Sequence, residues 1–269
     1  MTSICYVTAY LELDRKNWST FSRTFEEYLQ SFLPLVKLFR NNDTTDCQLY
    51  IYIDDQCYNQ LIEYIPDIQS LPITVIQINN SFLLKNMPLW IRLDRETEII
   101  NSVEHKKLIG HRLSSPETHN SKYTMINHLK VDFVAHTINM TTSTHLCWVD
   151  FGYFKDKNKI PLKLLNFNNF HKTKINYSLI NELDDNDKDI YYNLSLAPEK
   201  IAGSFFFGSR QILMQYQQIY HEMHLYLQNI NVVDDDQHIA LLCYFKYPDI
   251  FKLHHHGQWH LDFKKFEKS

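Results

Sequence analysis

The sequence has few glycines, 5 in 269 residues, where an average usage of about 7% would give roughly 19. Each glycine is therefore expected where the backbone or a close neighbour leaves no room for a side chain. The sequence contains neither the G-x-G-x-x-G pattern of dinucleotide-binding turns nor the G-x-S-x-G pattern of serine hydrolases. The sequence signatures of these two enzyme classes are thus absent.

Other absences narrow the class of protein further. Five cysteines without a C-x-x-C pair argue against a disulfide framework. No apolar run reaches the roughly 18 residues of a membrane span, and the first residues lack the pattern of a secretory signal. We therefore expect a cytoplasmic protein without a membrane span. The 27 basic and 31 acidic residues give a net charge of −4 without a dense basic stripe, which argues against a nucleic-acid partner.

The residues that are present predict an α/β fold. Apolar runs predict strands at 4–13 and 49–54, and an aromatic stripe from Trp18 to Leu35 predicts a helix that Pro34 kinks or ends. A strand followed by a helix and further strands is typical of a parallel sheet. The remaining predicted strands lie at 73–78, 146–150 and 201–208, and the remaining helices at 94–109, 122–139 and 211–228. Ser209 could cap the last of these helices. Region 155–200 is predicted to be irregular.

Three segments resemble catalytic or metal-binding motifs but lack required residues. Segment 203–208 has the glycine spacing of a phosphate loop, but Ser-Arg follows where Lys-Ser/Thr is needed. Segment 221–224 (HEMH) is one residue shorter than the H-E-x-x-H of zinc proteases. The acidic segment 185–189 lacks the turn glycine and the later glutamate of a calcium loop.

Polar residues at the ends of predicted elements are the remaining candidates. Asp150 closes an apolar strand just before Gly152, so its carboxylate could hold a divalent cation at the sheet edge, or could be a turn aspartate. The histidines 254–256 could complete the coordination of Mn²⁺, or could form a solvent-facing patch. The acids 234–236 are favoured as a helix cap. Combined in one α/β domain, these residues suit a metal-dependent transfer from a nucleotide sugar.

The sequence resembles a known family, the HtrL/YibB-like proteins, which are proposed to be glycosyltransferases. The most distinctive match is WVDFGY at 148–153, similar to the W-[IV]-D-F-G pattern of that family. The other matches are VTAY at 7–10 followed by DRKNW at 14–18, Tyr123 and Lys130, IAG through Gly208 at 201–208, DDQ at 235–237 and G-x-W at 257–259.

This resemblance implies a GT-A type fold, with a Rossmann-type mixed sheet flanked by helices in a single domain. Residues 1–153 would form the nucleotide-sugar-binding half, and residues 154–269 the acceptor-binding half with the C-terminal metal-ligand segment. The resemblance also implies individual roles. Asp150 would bind the metal with His254 or His256, Thr8, Ala9 and Tyr10 would line the nucleoside pocket, and Arg15 and Lys130 would reach donor phosphates.

The resulting hypothesis is a metal-dependent glycosyltransferase. It would move a sugar from a nucleoside diphosphate donor, with a UDP-sugar as the first candidate, to a hydroxyl of a glycan or protein. Mn²⁺ or Mg²⁺ would stabilise the departing diphosphate. Asp236 would be the base if the anomeric configuration inverts, and Gln237 would orient the acceptor.

Two alternatives belong to other functional classes. Gly152 stands where a D-x-D motif has its second acid, which favours a catalytically silent carbohydrate- or protein-binding module with the same fold. A metal-dependent phosphoesterase ranks last, because a two-metal hydrolase needs more clustered acids and histidines than this sequence offers.

Overall fold

Seven strands form one mixed sheet in the computed structural model, which describes residues 3–41 and 47–267. The strands are β1 (Ile4–Tyr10), β2 (Cys47–Asp54), β3 (Ile73–Ile78), β4 (His145–Val149), β5 (Ile175–Leu179), β6 (Ile201–Ser209) and β7 (Phe251–His255). Their order across the sheet is β3-β2-β1-β4-β6-β5-β7. Neighbouring strands are parallel except where β6 pairs antiparallel with β4 and β5.

Helices cover both faces of this sheet. They are α1 (Phe25–Arg40), α2 (Asp55–Tyr64), α3 (Asn80–Asn86), α4 (Leu93–Asn101), α5 (Val103–Ile109), α6 (Pro116–His119), α7 (Ser121–His128), α8 (Lys130–Ile138), α9 (Ile190–Leu196), α10 (Arg210–Asn229), α11 (Asp236–Lys246) and α12 (Asp262–Phe266). Alternation along β1 assigns its side chains to two cores. Cys5 and Val7 pack into the core that contains Leu213 of α10, whereas Ile4 and Tyr6 pack into the core with α1.

The first helix begins later and ends later than the sequence predicts. Thr24 accepts a hydrogen bond from the Glu27 amide, and the Glu27 side chain accepts one from the Thr24 amide, a capping box that starts α1. Pro34 is predicted to kink or to end the helix; the helix runs past it to Arg40, so an end at Pro34 is wrong. Proline removes the amide that would bond to the carbonyl of Gln30, and Gln30 is exposed, so water can satisfy that carbonyl.

Three further predictions need correction. The predicted helices at 94–109 and 122–139 are each two helices, divided at Ser102 and at Leu129. The region 155–200 is not simply irregular, because it contains β5 and α9. All five residues of β5 are buried between β6 and β7. Their burial comes from pairing with distant strands, which a local pattern cannot reveal.

The predicted fold class is confirmed: the protein has an α/β fold with a Rossmann-type mixed sheet flanked by helices. Two predicted helix starts are also confirmed. Ser209 caps α10 by accepting from the Ile212 amide, and Asp235 caps α11 by accepting from the His238 amide. Within the described ranges, no helix combines the length and apolar character needed to cross a bilayer.

Candidate functional site

The WVDFGY segment forms a turn at the carboxyl end of β4. The Asp150 amide donates to the Ser204 carbonyl at 3.0 Å, and the Tyr153 amide donates to the Asp150 carbonyl at 2.9 Å. Phe151 stacks on Phe32 of α1 with ring centroids 4.3 Å apart, which anchors the turn in the core. The Asp150 side chain is left 34% exposed at the edge of the sheet, where open α/β sheets bind their ligands.

A buried lysine joins this exposed acid to a buried one. Lys130 Nζ lies 3.0 Å from Asp150 Oδ1 and 2.8 Å from Asp236 Oδ2, and it donates to the Gly203 carbonyl at 3.1 Å. Burial would lower the pKa of Lys130, but the two carboxylates raise it well above its ordinary value, so the ammonium stays charged. Burial raises the pKa of Asp236 even beside this cation. Trp148 Nε1 also donates to Asp150 Oδ1, at 2.6 Å.

Asp150 and Lys130 line a cleft of about 340 Å³ at the carboxyl ends of β1 and β4. Arg15, Arg23 and Lys155 also line the cleft, and none of these three forms an ion pair within the described part of the chain. Such cations attract an anionic ligand. The other lining residues are Ala9, Tyr10, Leu11, Leu13, Phe21, Tyr28, Tyr123, Ile126, Asn127, Trp148, Phe151, Gly152 and His260.

Aromatic rings and a carbonyl hold the guanidinium of Arg15. It donates to the Tyr28 hydroxyl and, at 2.9 Å, to the Phe21 carbonyl. Its carbon Cζ lies 5.0 Å from the ring centroid of Trp18 and 5.3 Å from that of Tyr123, distances typical of cation–π contacts. The Nε atom is buried and has no hydrogen-bond partner in the part of the chain that the structure describes, so the guanidinium is held without using all of its N–H groups.

Two glycines allow close approaches that build the cleft. A Cβ on Gly152 would lie 2.6 Å from Arg23 Nη1 and 3.1 Å from the Tyr28 ring. A Cβ on Gly203 would lie 2.4 Å from Asp236 Oδ2. The glycine of the WVDFGY segment therefore makes room for a cationic side chain of the cleft, and Gly203 makes room for the buried acid.

The structure brings together five of the residues proposed to bind the donor. The exception is Thr8, which is buried within the sheet and does not line the cleft; its Oγ1 has no hydrogen-bond partner among the described residues. Asp236 and Gln237, the predicted catalytic residues, lie at the start of α11 and do not line the cleft; Asp236 contacts Lys130 with a side chain that is only 11% exposed. The residues that line the cleft as proposed are Ala9, Tyr10, Arg15, Lys130 and Asp150.

The predicted histidine ligands lie in or beside β7 and do not line the cleft. His254 Nε2 hydrogen bonds with Asn176 Oδ1 at 2.8 Å, and His256 Nδ1 hydrogen bonds with Ser178 Oγ at 2.7 Å. His260 lines the cleft with Asp150 instead. Burial lowers the pKa of His260 to about 4, so its imidazole is neutral at pH 7. The structure therefore brings His260, rather than His254 or His256, to the cleft.

The donor atoms beside Asp150 fit a weakly held divalent cation. Asp150 Oδ1 is used by Lys130 and Trp148, whereas Oδ2 and the His260 imidazole remain as possible ligands. Among the described residues, neither of the two groups of three clustered metal-ligand side chains includes Asp150. Mn²⁺ or Mg²⁺ takes about six oxygen or nitrogen ligands, so a bound diphosphate and water would have to supply most of them.

A second depression, of about 510 Å³, adjoins the cleft. Asp150, Lys155 and His260 line both cavities and so stand at their boundary. The Glu199 carboxylate in this depression accepts from Trp259 Nε1 at 3.0 Å. The other residues that line it are Asp156, Lys159 and Ser204, so it is built from residues beyond 149.

Several cleft residues were not predicted as site residues. Arg23 immediately precedes the capping residue of α1, and Lys155 lies in a region without a clear pattern, so neither carries a local signal. His260 follows the G-x-W motif at 257–259, and this proximity is the one signal that could have found it. The family resemblance includes Tyr123 as a matching residue, but it implies no binding or catalytic role for it.

Comparisons with known proteins relate the whole chain to a protein family. The model of a bacterial protein family of unknown function, HtrL_YibB, matches residues 2–268. Protein HtrL of Escherichia coli strain K12 is 24% identical over 275 residues, in an alignment that covers 100% of this chain and 94% of HtrL. A solved structure of mouse xyloside xylosyltransferase 1, apo form, is similar with a TM-score of 0.44 and 10% identity, over 94% of this chain and 84% of that one.

Proposed function

The chain belongs to the HtrL_YibB family, and from its cleft we propose that it is a glycosyltransferase with a nucleoside diphosphate sugar as donor. One observation carries this proposal: three cations without ion-pair partners in the described chain, Arg15, Arg23 and Lys155, surround one cleft in a protein of net charge −4. Arginine and lysine bind the oxygens of a diphosphate through charge-assisted hydrogen bonds. We therefore propose that these three cations bind the diphosphate of the donor.

The nucleoside fits the remaining lining of the same cleft. Tyr10, Tyr123 and Ile126 provide aromatic and apolar surface, which suits a planar base. A UDP-sugar remains the first candidate donor. In this arrangement Ala9 and Tyr10 contact the nucleoside, and Arg15 contacts the phosphates while its guanidinium remains over Trp18.

A divalent cation is proposed to assist the departing diphosphate. Mn²⁺ or Mg²⁺ held by Asp150 would neutralise negative charge that develops on the leaving group. Lys130 fixes the Asp150 carboxylate by binding Oδ1 at 3.0 Å. His260 is neutral at pH 7 and lines the same cleft, so it is the histidine proposed to accompany Asp150.

The acceptor is proposed to occupy the second depression, which would make residues 154–269 the main part of the acceptor-binding half. The acceptor hydroxyl would then meet the donor sugar at the boundary formed by Asp150, Lys155 and His260. Neither Asp236 nor Gln237 lines the cleft or the second depression, so Asp236 stays the proposed base, with Gln237 beside it for orientation, only for an inverting transfer in which the acceptor hydroxyl reaches the start of α11. Glu199 is a second candidate base, because its carboxylate is exposed in this depression.

The proposal is tested by release of nucleoside diphosphate from a panel of nucleotide sugars. Purified protein is incubated with each donor in the presence of Mn²⁺, Mg²⁺ or a chelator, with and without simple glycan and peptide acceptors. We expect release from at least one donor, and we expect Asp150→Asn to reduce it by about 100-fold or more. Asp185→Asn is the matched control, because the Asp185 side chain is 98% exposed and pairs with Lys188.

The same assay separates the two candidate bases. Asp236→Asn should abolish transfer if Asp236 takes the acceptor proton, whereas Glu199→Gln should abolish it if Glu199 does. If no donor is consumed under any condition and Asp150→Asn changes nothing, the enzymatic proposal is wrong.

One observation favours the alternative of a silent binding module. Lys130 already compensates the single acid at the cleft edge, and no described group of three metal-ligand side chains lies there. Calorimetry with UDP and GDP distinguishes the two functions. An enzyme of the proposed kind binds one of them more tightly when Mn²⁺ is present, whereas a module that binds only a carbohydrate or a protein binds neither.

A further inference from the structure

Three helices meet at a buried group of two histidines and one glutamate. Glu96 lies in α4, His128 ends α7, and His224 lies in α10. Their side chains are at most 2% exposed. A carboxylate is very rarely buried to this extent without a partner that compensates its charge, so the group requires an explanation.

The spacing of these atoms is that of metal ligands. One ligand atom from each of Glu96, His128 and His224 lies within 4.8 Å of the other two. Glu96 Oε1 is 3.5 Å from His128 Nε2, and Glu96 Oε2 is 3.2 Å from His224 Nε2. Around a tetrahedral ion with ligands at about 2.1 Å, neighbouring ligand atoms are about 3.4 Å apart.

Contacts within the described chain leave the group incompletely satisfied. Glu96 Oε1, His128 Nε2 and His224 Nε2 are buried, and none of them makes a hydrogen bond of normal geometry to another described residue. The two imidazoles lie beside the carboxylate, at 3.5 and 3.2 Å. Within residues 3–41 and 47–267, no lysine or arginine forms an ion pair with Glu96. A divalent cation among the three side chains would satisfy all three atoms and compensate the carboxylate.

Neighbouring side chains orient two of the three ligands. His128 Nδ1 is 2.8 Å from the Tyr220 hydroxyl; in the tautomer with the proton on Nδ1, this hydrogen bond orients the ring and Nε2 offers its lone pair to a metal ion. Gln228 Nε2 donates to Glu96 Oε2 at 2.8 Å. Hydrogen bonds of this kind, to the second nitrogen of a histidine and to a carboxylate, are usual around protein metal sites.

The charges of a second buried group are compensated without a metal ion. Asp234, Asp235 and His238 also lie within 4.8 Å of one another. Arg112 lies 3.6 Å from the Asp234 carboxylate and 3.8 Å from that of Asp235, and His238 Nδ1 lies 2.9 Å from Asp234 Oδ1. The Arg112 guanidinium, which is always charged, therefore compensates these acids, and no metal is needed there.

We propose that Glu96, His128 and His224 bind a divalent transition-metal ion, with Zn²⁺ as the ion that best suits two imidazoles and one carboxylate. The ion ties α4, α7 and α10 together. The helix α7 also carries Tyr123 and Asn127, which line the cleft, so the metal fixes one wall of the cleft without contacting the ligand bound there. This site is separate from Asp150 and does not depend on the function proposed above.

Metal analysis of tag-free protein tests the proposal. After gel filtration with a weak chelator, we expect about one Zn²⁺ per chain, because structural sites hold their ion tightly. Removal of the ion with a strong chelator should lower the Tm by roughly 10 °C, and added Zn²⁺ should restore it. After reconstitution with Co²⁺, d–d absorption bands should report imidazole and carboxylate ligands.

Two variants locate the ion. Glu96→Gln keeps the shape of the side chain and should abolish the bound metal. His221→Gln is the matched control, because His221 lies on the same helix as His224 and pairs with Asp132 at 2.6 Å, yet belongs to neither of the two three-residue groups formed by described residues. It should leave the metal content unchanged.

If Glu96→Gln does not fold, anomalous diffraction at the zinc edge from the unaltered protein decides the question. A peak among Glu96, His128 and His224 is expected. Protein that holds no metal and whose Tm is insensitive to the strong chelator would overturn the proposal, as would a Glu96→Gln variant that retains the ion. Activity plays no part in these measurements, so their outcome is distinguishable from failure of the proposed glycosyl transfer.

Discussion

Lys130 Nζ lies 3.0 Å from Asp150 Oδ1, so the acid of the WVDFGY segment is paired with a buried cation at the edge of the cleft. The same ammonium lies 2.8 Å from the Asp236 carboxylate. One positive charge is therefore shared by an acid that faces the cleft and an acid that does not. Loss of any of the three groups changes the electrostatic environment of the other two.

Lys130→Met should destabilise the protein by about 3 kcal/mol, because removal of one partner leaves buried charge without compensation. The Asp236 carboxylate suffers most from the lost charge compensation, since its side chain is only 11% exposed to solvent. The free energy of unfolding in urea measures the loss. Lys188→Met is the control, since the pair of Lys188 with Asp185 is exposed, and its unfolding free energy should change by less than about 0.5 kcal/mol. Equal effects of the two substitutions would contradict this role of Lys130.

The two glycines at the cleft should respond differently to alanine. At Gly203 the new methyl group would meet the buried Asp236 carboxylate at 2.4 Å, so we expect a loss of about 2 kcal/mol in the free energy of unfolding. At Gly152 it would meet the end of the flexible Arg23 side chain, which can move away, and it would lie 3.1 Å from the Tyr28 ring, which has to shift by only a few tenths of an ångström. Gly152→Ala should therefore unfold near the wild-type midpoint but bind UDP more weakly, as thermal unfolding and calorimetry can show. The reverse pattern would refute the assignment.

The buried pair of His238 with Asp234 should make stability depend on pH. Burial lowers the pKa of His238, but Asp234 and Asp235 raise it from 6.5 to about 9. The stabilisation is complete below pH 6.5, where the imidazole is protonated in both states. It declines as the pH rises, because the unfolded chain releases this proton first, and it is lost above about pH 9.

His238→Gln tests this pH dependence. The wild-type protein should lose up to about 3 kcal/mol of unfolding free energy relative to the variant between pH 6.5 and 9. Denaturant titrations at several pH values measure the difference. A difference between the two proteins that stays constant over this interval would show that His238 does not carry the proton.

Much of the fold is encoded in local sequence patterns. The apolar runs of β1, β2 and β3 and the capping residues Ser209 and Asp235 lie where the sequence predicts them. The strand β5 escapes prediction because its burial depends on β6 and β7, which come from distant parts of the chain. Local patterns record which face a segment buries, and they do not record which strands will cover it.

Prediction of the candidate site from local sequence patterns is limited in the same way. Asp150 is predictable because a strand followed by an acid and a glycine places a carboxylate at the sheet edge. The pairing of Lys130 with Asp236 spans 106 residues, so no local spacing contains it. The histidine run at 254–256 carries the stronger sequence signal, yet its first two members lie in β7, and the neighbouring His260 lines the cleft. Conspicuous composition is thus a poor guide to which side chain faces a ligand.

The last prediction concerns the anion that the cleft is proposed to bind. Lys155 is exposed and Arg15 lines the same cleft, so removal of either side chain would take a cation from the proposed diphosphate site. A charge-assisted hydrogen bond contributes about 1.5 to 3 kcal/mol, and Lys155→Ala and Arg15→Ala should therefore each weaken UDP binding by about 10-fold or more. Calorimetry at two salt concentrations measures this, with a smaller salt dependence expected for both variants.

Arg95→Ala is the control for this measurement, because Arg95 is exposed, pairs with Glu98 and does not line the cleft. It removes the same charge from the whole protein, so a general electrostatic effect would weaken UDP binding to a similar degree in all three variants. A specific diphosphate site requires that Arg95→Ala binds UDP like the wild-type protein. Because Lys155 is exposed, its substitution should not impair folding. Unchanged UDP affinity in Lys155→Ala would therefore show that this lysine does not contact the diphosphate.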